Sequence, residues 1–66
     1  MSLYKQYSPR QFRKILRNNG FEYIRSSGDH DIYENGNGIH ISIPATRTNK
    51  MLCRRLIKEN GLVVDL

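Results

Sequence analysis

The stretch Gly28-Asp29-His30 holds the side chain best suited to chemistry in this chain. Imidazole titrates near neutral pH, so His30 could take or give a proton under cellular conditions. It stands where a glycine turn becomes a predicted strand, a place that projects a side chain at a sheet edge. Asp29 and Asp31 flank it, but neighbours on a strand point to opposite faces. The pattern indicates a general acid–base residue, although a histidine beside a turn is more often a plain surface residue.

His40 is the second candidate and the only other histidine. It alternates with Ile39 and Ile41, so it should point away from the face that carries the isoleucines. It could be the second member of an acid–base pair, or it could bind a phosphate or a partner. It could equally be a solvated strand position, and the sequence leaves both interpretations open.

The predicted first helix carries a basic face. The 66-residue chain has 11 Lys and Arg against 6 Asp and Glu, a formal net charge of +5, which favours anionic partners. Four cations at helical spacing match a phosphate backbone, and double-stranded RNA is contacted largely through phosphates and 2′-hydroxyls. An ordinary solvated helix face would look similar. The predicted RNA-binding residues are Arg10, Arg13, Lys14 and Arg17, with Lys50 and Arg54 on a second helix.

Other chemistries fit the sequence poorly. The histidines and Cys53 lack zinc-site spacing, and Cys53 falls on the apolar side of a predicted helix, where a thiol is usually inert. A single cysteine also fits a reducing cytosol. We find no long apolar run and no secretion signal, so we expect a cytoplasmic protein without a membrane span. We therefore expect a reaction without a metal or a cofactor.

Start and stop signals delimit two helices. Ser8 can cap the first, Pro9 fits its first position, and Gln11 completes a capping box. Tyr7 and Phe12 stand at the positions of a hydrophobic staple. The second helix should begin after Thr48 or Asn49, run to about Asn60 and end at Gly61, with an apolar side of Leu52, Cys53, Leu56 and Ile57.

Three strands are predicted between the helices. They cover residues 21–25, 30–34 and 39–43, with a turn at 26–29 and a glycine hairpin at 35–38. The order is α-β-β-β-α, an α+β fold over a single domain of residues 1–66. A three-stranded antiparallel sheet would carry both helices on one face, as in double-stranded RNA-binding domains. The other face would be open, and the sequence does not tell which face His30 occupies.

Taken in order, several short segments resemble the HicA family of bacterial toxin ribonucleases over roughly residues 8–62. These are Asn19-Gly20-Phe21, Arg25, Gly28-Asp29-His30, Tyr33, Ile41-Ser42-Ile43-Pro44 and the final Arg54-Arg55-Leu56-Ile57-Lys58-Glu59-Asn60-Gly61-Leu62. The chain departs from the family where Asp29 replaces the usual serine. It also has Lys50-Met51-Leu52 in place of Lys-Gly-Thr.

The resemblance implies a double-stranded RNA-binding-like fold, translation-independent cleavage of mRNA and a catalytic His30. It also implies a HicB-type antitoxin that neutralises the toxin. We expect an endoribonuclease in which His30 is the general base, with Asp29 and His40 as possible auxiliary groups. The alternatives are a non-catalytic RNA-binding module or inactive family member, and a small adaptor that binds proteins through its apolar tail.

Overall fold

Two helices and a three-stranded sheet make up the fold. The computed structural model describes residues 6–64. Its elements are α1 (Pro9–Asn18), β1 (Glu22–Ser27), β2 (His30–Glu34), β3 (His40–Pro44) and α2 (Lys50–Asn60). The strands pair antiparallel in the order β1-β2-β3. This confirms the predicted α+β fold. Neither helix in this part of the chain is long and apolar enough to cross a membrane.

The capping box predicted for α1 is confirmed. The Gln11 backbone N–H donates to Ser8 Oγ at 3.1 Å, and the Ser8 N–H donates to Gln11 Oε1 at 3.0 Å. Pro9 holds the first helical position, where no backbone donor is needed. Tyr7 and Phe12 are both buried in the core on either side of this cap. The start of α1 is therefore set by local hydrogen bonds and anchored by two aromatic rings.

The turn between β1 and β2 is shorter than the predicted four residues. β1 continues to Ser27, which pairs with His30, so only Gly28 and Asp29 form the turn. Gly28 has a φ of 60°, and a positive φ at the first central position is typical of type II′ hairpin turns. That turn suits the strand twist, which explains why the two serines pair instead of looping out. His30 is consequently the first residue of β2.

An asparagine organises the second hairpin. Asn35 Oδ1 accepts hydrogen bonds from the backbone N–H groups of Asn37 at 2.9 Å and Ile39 at 3.0 Å. Gly38 has a φ of 79°, the left-handed conformation expected where a three-residue hairpin loop rejoins its strand. The predicted hairpin is thus confirmed.

β3 begins one residue later than predicted and ends at Pro44. Ile41 and Ile43 are buried, whereas Ile39 is 46% exposed. The face predicted to carry the isoleucines is therefore buried at Ile41 and Ile43 but not at Ile39, because that residue closes the hairpin loop and precedes the strand.

α2 is capped at both ends as the sequence suggested. Of the two candidate residues, Asn49 is the N-cap: its Oδ1 accepts a hydrogen bond from the Leu52 N–H at 2.8 Å. Thr48 is buried instead and donates its hydroxyl to the Tyr7 carbonyl. Gly61 ends the helix with a φ of 60°. These contacts join the start of α2 to the segment before α1.

The chain after α2 folds back on the core. Leu62 is buried, and Val63 exchanges two hydrogen bonds with the Asn19 side chain, of 2.8 and 2.9 Å. The apolar tail predicted at residues 62–66 is therefore partly core. The last two residues of the tail lie outside the described residues, as do Leu3 and Tyr4, whose side chains the sequence offers as possible anchors of an extended N-terminal segment.

One cluster forms the core and decides which way the sheet faces. Tyr33, Ile41 and Ile43 point from the sheet toward the helices. Side chains alternate along a strand, so His30 and Ile32 lie on the opposite, open face. The helices and connecting segments complete the core with Tyr7, Phe12, Ile15, Leu16, Phe21, Cys53, Leu56 and Leu62.

The capping box should contribute measurably to stability. We expect Ser8→Ala to lower the free energy of unfolding by about 0.5–2 kcal/mol, because an N-terminal helix donor loses its acceptor. Urea denaturation followed by circular dichroism measures this. Ser42→Ala, on the exposed face of β3, is the matched control and should change stability much less. Equal losses in the two variants would show that the cap contributes nothing specific.

Candidate nucleic-acid interface and histidine site

His30 lies at a fixed corner of the sheet. It pairs with Ser27 on one side and with Pro44 on the other, and its side chain is exposed. Just beyond β3, the Ala45 N–H donates to the Asp29 carbonyl at 2.7 Å. This bond ties the turn that carries His30 to the end of β3. The imidazole is therefore presented to solvent from a backbone that is held on both sides.

A shallow depression surrounds His30. It is lined by Asp29, His30, Pro44, Thr46 and Arg47. A guanidinium, a hydroxyl and an imidazole in one depression can bind and act on a phosphate group. The sequence placed Asp29 beside His30 but did not single out Thr46 and Arg47, which lie between the third predicted strand and the second predicted helix. The sequence could have indicated these two residues, because the loop that holds them directly follows the strand that pairs with β2.

Asp31 points to the other side of the sheet, as strand alternation predicted. Its Oδ1 accepts a hydrogen bond from Ser26 Oγ at 3.0 Å, and that hydroxyl is 2.7 Å from the Tyr23 hydroxyl. Its Oδ2 is 4.0 Å from Nε of Arg13, and the Asp31 side chain is only 13% exposed. The carboxylate is thus committed to α1 and β1 and lies on the face away from the His30 ring.

The four predicted cations of α1 lie together. Arg10, Arg13, Lys14 and Arg17 line one surface groove with Asn18, which we call the α1 basic groove. Arg13 differs from the other three because its Nη2 donates to the Ala45 carbonyl at 3.3 Å. Its Nε is buried and has no hydrogen-bond acceptor among residues 6–64. Arg13 therefore reaches inward, beneath the His30 corner.

The cations predicted on α2 do not line the α1 basic groove. Lys50 is the first residue of α2 and Arg54 follows one turn later, both exposed.

The two histidines are not brought together. His40 pairs with Glu34 at the far end of β2, and its Nε2 is 2.7 Å from Glu34 Oε2. Glu34 lies four residues after His30 along β2, about 13 Å away at the usual rise. Both rings lie on the open face, but His40 is too distant to exchange a proton directly with His30.

Tyr33 lies beneath β2, on the helix side. Burial raises the pKa of its hydroxyl above the ordinary value of 10.0, and nearby Arg13 partly offsets this. Its ring meets that of Tyr23 edge to face, with centroids 5.8 Å apart and planes at 72°. Tyr33 is therefore a neutral core residue under the site.

Residues 6–64 contain no group of three or more His, Cys, Asp or Glu side chains arranged to hold a metal ion. Cys53 is a buried free thiol. The polar side chains around His30 come from the turn before β2 and from the loop after β3.

The family model described as the HicA toxin of bacterial toxin–antitoxin matches residues 9–62 of the 66. The chain belongs to the HicA toxin family. The match covers both helices, all three strands and the His30 corner, and it makes the chain a toxin of a toxin–antitoxin system. No curated protein and no solved structure matches significantly.

The raised pKa of Tyr33 should make this HicA-family chain sensitive to alkali. Below pH 10 the Tyr33 hydroxyl is protonated in both the folded and the unfolded state, so its contribution to stability is intact. As the pH rises above 10, the unfolded chain loses the proton first, so the free energy of unfolding falls. We expect Tyr33→Phe to reduce this fall, measured by urea denaturation from pH 9 to 11. If the free energy of unfolding fell equally with pH in the variant and in wild type, the raised pKa of Tyr33 would be contradicted.

Proposed function

We propose that this HicA-family toxin is a metal-independent endoribonuclease that cleaves mRNA in the cytoplasm, with His30 as general base. The observation that supports this most directly is the exposed depression that His30 shares with Thr46 and Arg47. Family membership supports the toxic role, and the net charge of +5 supports an anionic substrate. The result would be loss of translation and growth until an antitoxin neutralises the toxin.

RNA carries its own nucleophile, so the protein needs few groups. In this mechanism His30 removes the proton from a 2′-hydroxyl, and that oxygen attacks the adjacent phosphorus. The bond to the 5′-oxygen breaks, and the 5′-oxygen takes a proton from solvent or from the imidazolium. The products are a 2′,3′-cyclic phosphate and a 5′-hydroxyl end. General-base assistance of this kind contributes about 10²–10⁴-fold.

Arg47 and Thr46 would hold the reacting phosphate. A guanidinium binds two phosphate oxygens at once and stabilises the negative charge that builds up during attack. Asp29 lines the same depression, and its carboxylate would repel that phosphate. We therefore expect slower cleavage than a neutral side chain at this position would allow.

The α1 basic groove would bind the RNA backbone through Arg10, Lys14 and Arg17, with Lys50 and Arg54 of α2 adding charge. Such contacts follow phosphates rather than bases, so sequence preference should be loose. The site is an open depression on a small domain, which also favours a polymer lying across the surface over a small enclosed substrate.

The first test is RNA cleavage in the presence of a chelator. We expect wild type to cleave and His30→Ala to lose activity by at least about 10²-fold, because the general base is gone. His40→Ala is the matched control and should retain cleavage, since His40 pairs with Glu34 away from the depression. Product ends are identified by treatment with phosphatase and kinase, and each variant is checked for folding by circular dichroism.

Three results would contradict the proposal in different ways. Cleavage by His30→Ala equal to wild type would remove His30 from the mechanism. Ends with 3′-hydroxyl and 5′-phosphate would exclude attack by the 2′-hydroxyl. RNA binding without cleavage by folded wild type, and no growth arrest on expression, would favour a non-catalytic RNA-binding module.

We further propose a HicB-type antitoxin that covers the His30 face. The open sheet face carries His30 and the partly exposed Ile32, and the basic surfaces suit an acidic partner. A protein with a sheet of its own could lie over this face and exclude RNA. The inhibition would then be competitive.

Adding purified antitoxin should therefore raise the apparent KM for RNA, and raising the salt concentration should weaken both complexes because both depend on charge. Enzyme kinetics at two salt concentrations, with antitoxin titrated, measures this. A stable complex of toxin and antitoxin that still cleaves RNA at the wild-type rate would show that the His30 face is not covered.

A further inference from the structure

We infer that Arg13 is a positioning residue for the His30 site: it holds the His30 turn and the Thr46–Arg47 loop in their working arrangement from behind the sheet. The inference rests on the proposed ribonuclease activity of that site, and it separates Arg13 from the three other cations of the α1 basic groove.

Arg13 contacts both segments that build the depression. Its Nε is 4.0 Å from Oδ2 of Asp31, the residue directly after His30. Its Nη2 donates to the carbonyl of Ala45, the residue directly before Thr46, at 3.3 Å. The Arg13 guanidinium therefore joins both β2 and the loop after β3 to α1. In each segment, the residue that it contacts is the chain neighbour of a residue that lines the depression.

A chain of polar contacts extends this link across the sheet. Asp31 accepts from Ser26 of β1, and Ser26 in turn contacts the Tyr23 hydroxyl. The Ala45 N–H donates to the Asp29 carbonyl on the other side of the turn. The His30 corner is thus connected to β1, to the end of β3 and to α1. Among residues 6–64, Arg13 is the only α1 side chain that forms a hydrogen bond or ion pair with this network.

Arg13 differs from a purely backbone-binding cation at its Nε atom, although its side chain as a whole is 42% exposed. Its Nε is buried, and the Asp31 side chain that faces it is only 13% exposed. A largely buried carboxylate without a cationic partner is unfavourable, so removing Arg13 should displace Asp31 and the backbone that carries it. Arg10, Lys14 and Arg17 are exposed and make no comparable contact among the described residues.

Displacement of this backbone should lower the rate of the chemical step more than RNA affinity. Errors of about 1 Å in the placement of reacting groups can lower a rate about 10²-fold. His30 and Arg47 belong to different segments, so their separation depends on what ties the segments together. Loss of an exposed phosphate contact, by contrast, weakens binding without altering the geometry at the reacting phosphorus.

Steady-state kinetics on an RNA substrate separates the two roles. We compare Arg13→Gln with Arg17→Gln, which removes the same charge one helical turn along the α1 basic groove. Arg13→Gln should lower kcat about 10- to 100-fold with a small change in KM. Arg17→Gln should raise KM with little change in kcat.

A double-mutant cycle tests the link between Arg13 and Asp31. Asp31→Asn, which keeps the shape of the side chain but removes its charge, should reproduce the loss of kcat. The double variant Arg13→Gln/Asp31→Asn should lose less than the two single losses combined.

An NMR readout is independent of activity. The imidazole C–H resonances of His30 and His40 report on the two ends of the open face. Arg13→Gln and Asp31→Asn should shift or broaden the His30 signals and leave the His40 signals in place, whereas Arg17→Gln should move neither. Because Asp31→Asn tests the same link, the inference stays testable if Arg13→Gln fails to fold.

The outcomes separate this inference from the proposed function. If wild type does not cleave RNA, the ribonuclease proposal fails, and unmoved His30 resonances in Arg13→Gln or Asp31→Asn would overturn the positioning role as well. If wild type cleaves, a raised KM with unchanged kcat in Arg13→Gln would show that Arg13 is an RNA contact like Arg17.

Discussion

Burial of one face of the sheet against the two helices is the constraint on which the site depends. Tyr33, Ile41 and Ile43 form the sheet's share of the core, and their alternation sets the direction of every other side chain on β2 and β3. His30 lies on the open face because Tyr33, three residues later, is buried. A shift of one residue in the pairing would bury His30 and expose the aromatic ring. Core packing therefore decides that the proposed base is accessible.

The same alternation brings a carboxylate inward. Asp31 must point toward the helices if His30 points outward, and a nearly buried carboxylate requires partners. Ser26 and Arg13 supply them, and Arg13 also reaches Ala45 at the end of β3. A polar residue on the core side of a strand is thus tied to the helix layer directly behind the exposed corner.

The proposed chemistry draws on two segments that are distant in sequence. His30 is the first residue of β2, directly after a two-residue turn, and Arg47 comes from the loop between β3 and α2. A chain of 66 residues has little interior in which to build a deep pocket, so a surface site that acts on a polymer suits its size. In the proposed function the open face would serve both partners, the RNA and the antitoxin, and their binding would be mutually exclusive.

Sequence alone determined the features that depend on neighbours in the chain. The capping box at Ser8, the caps at Asn49 and Gly61, and the element order follow from local hydrogen bonds and from side-chain periodicity, and His30 stood out through its turn and the HicA resemblance. Only the tertiary structure decided which sheet face His30 occupies and that Arg47 lies beside it. These depend on strand register and on the path of a loop, which bring together residues whose separation along the chain carries no periodic signal.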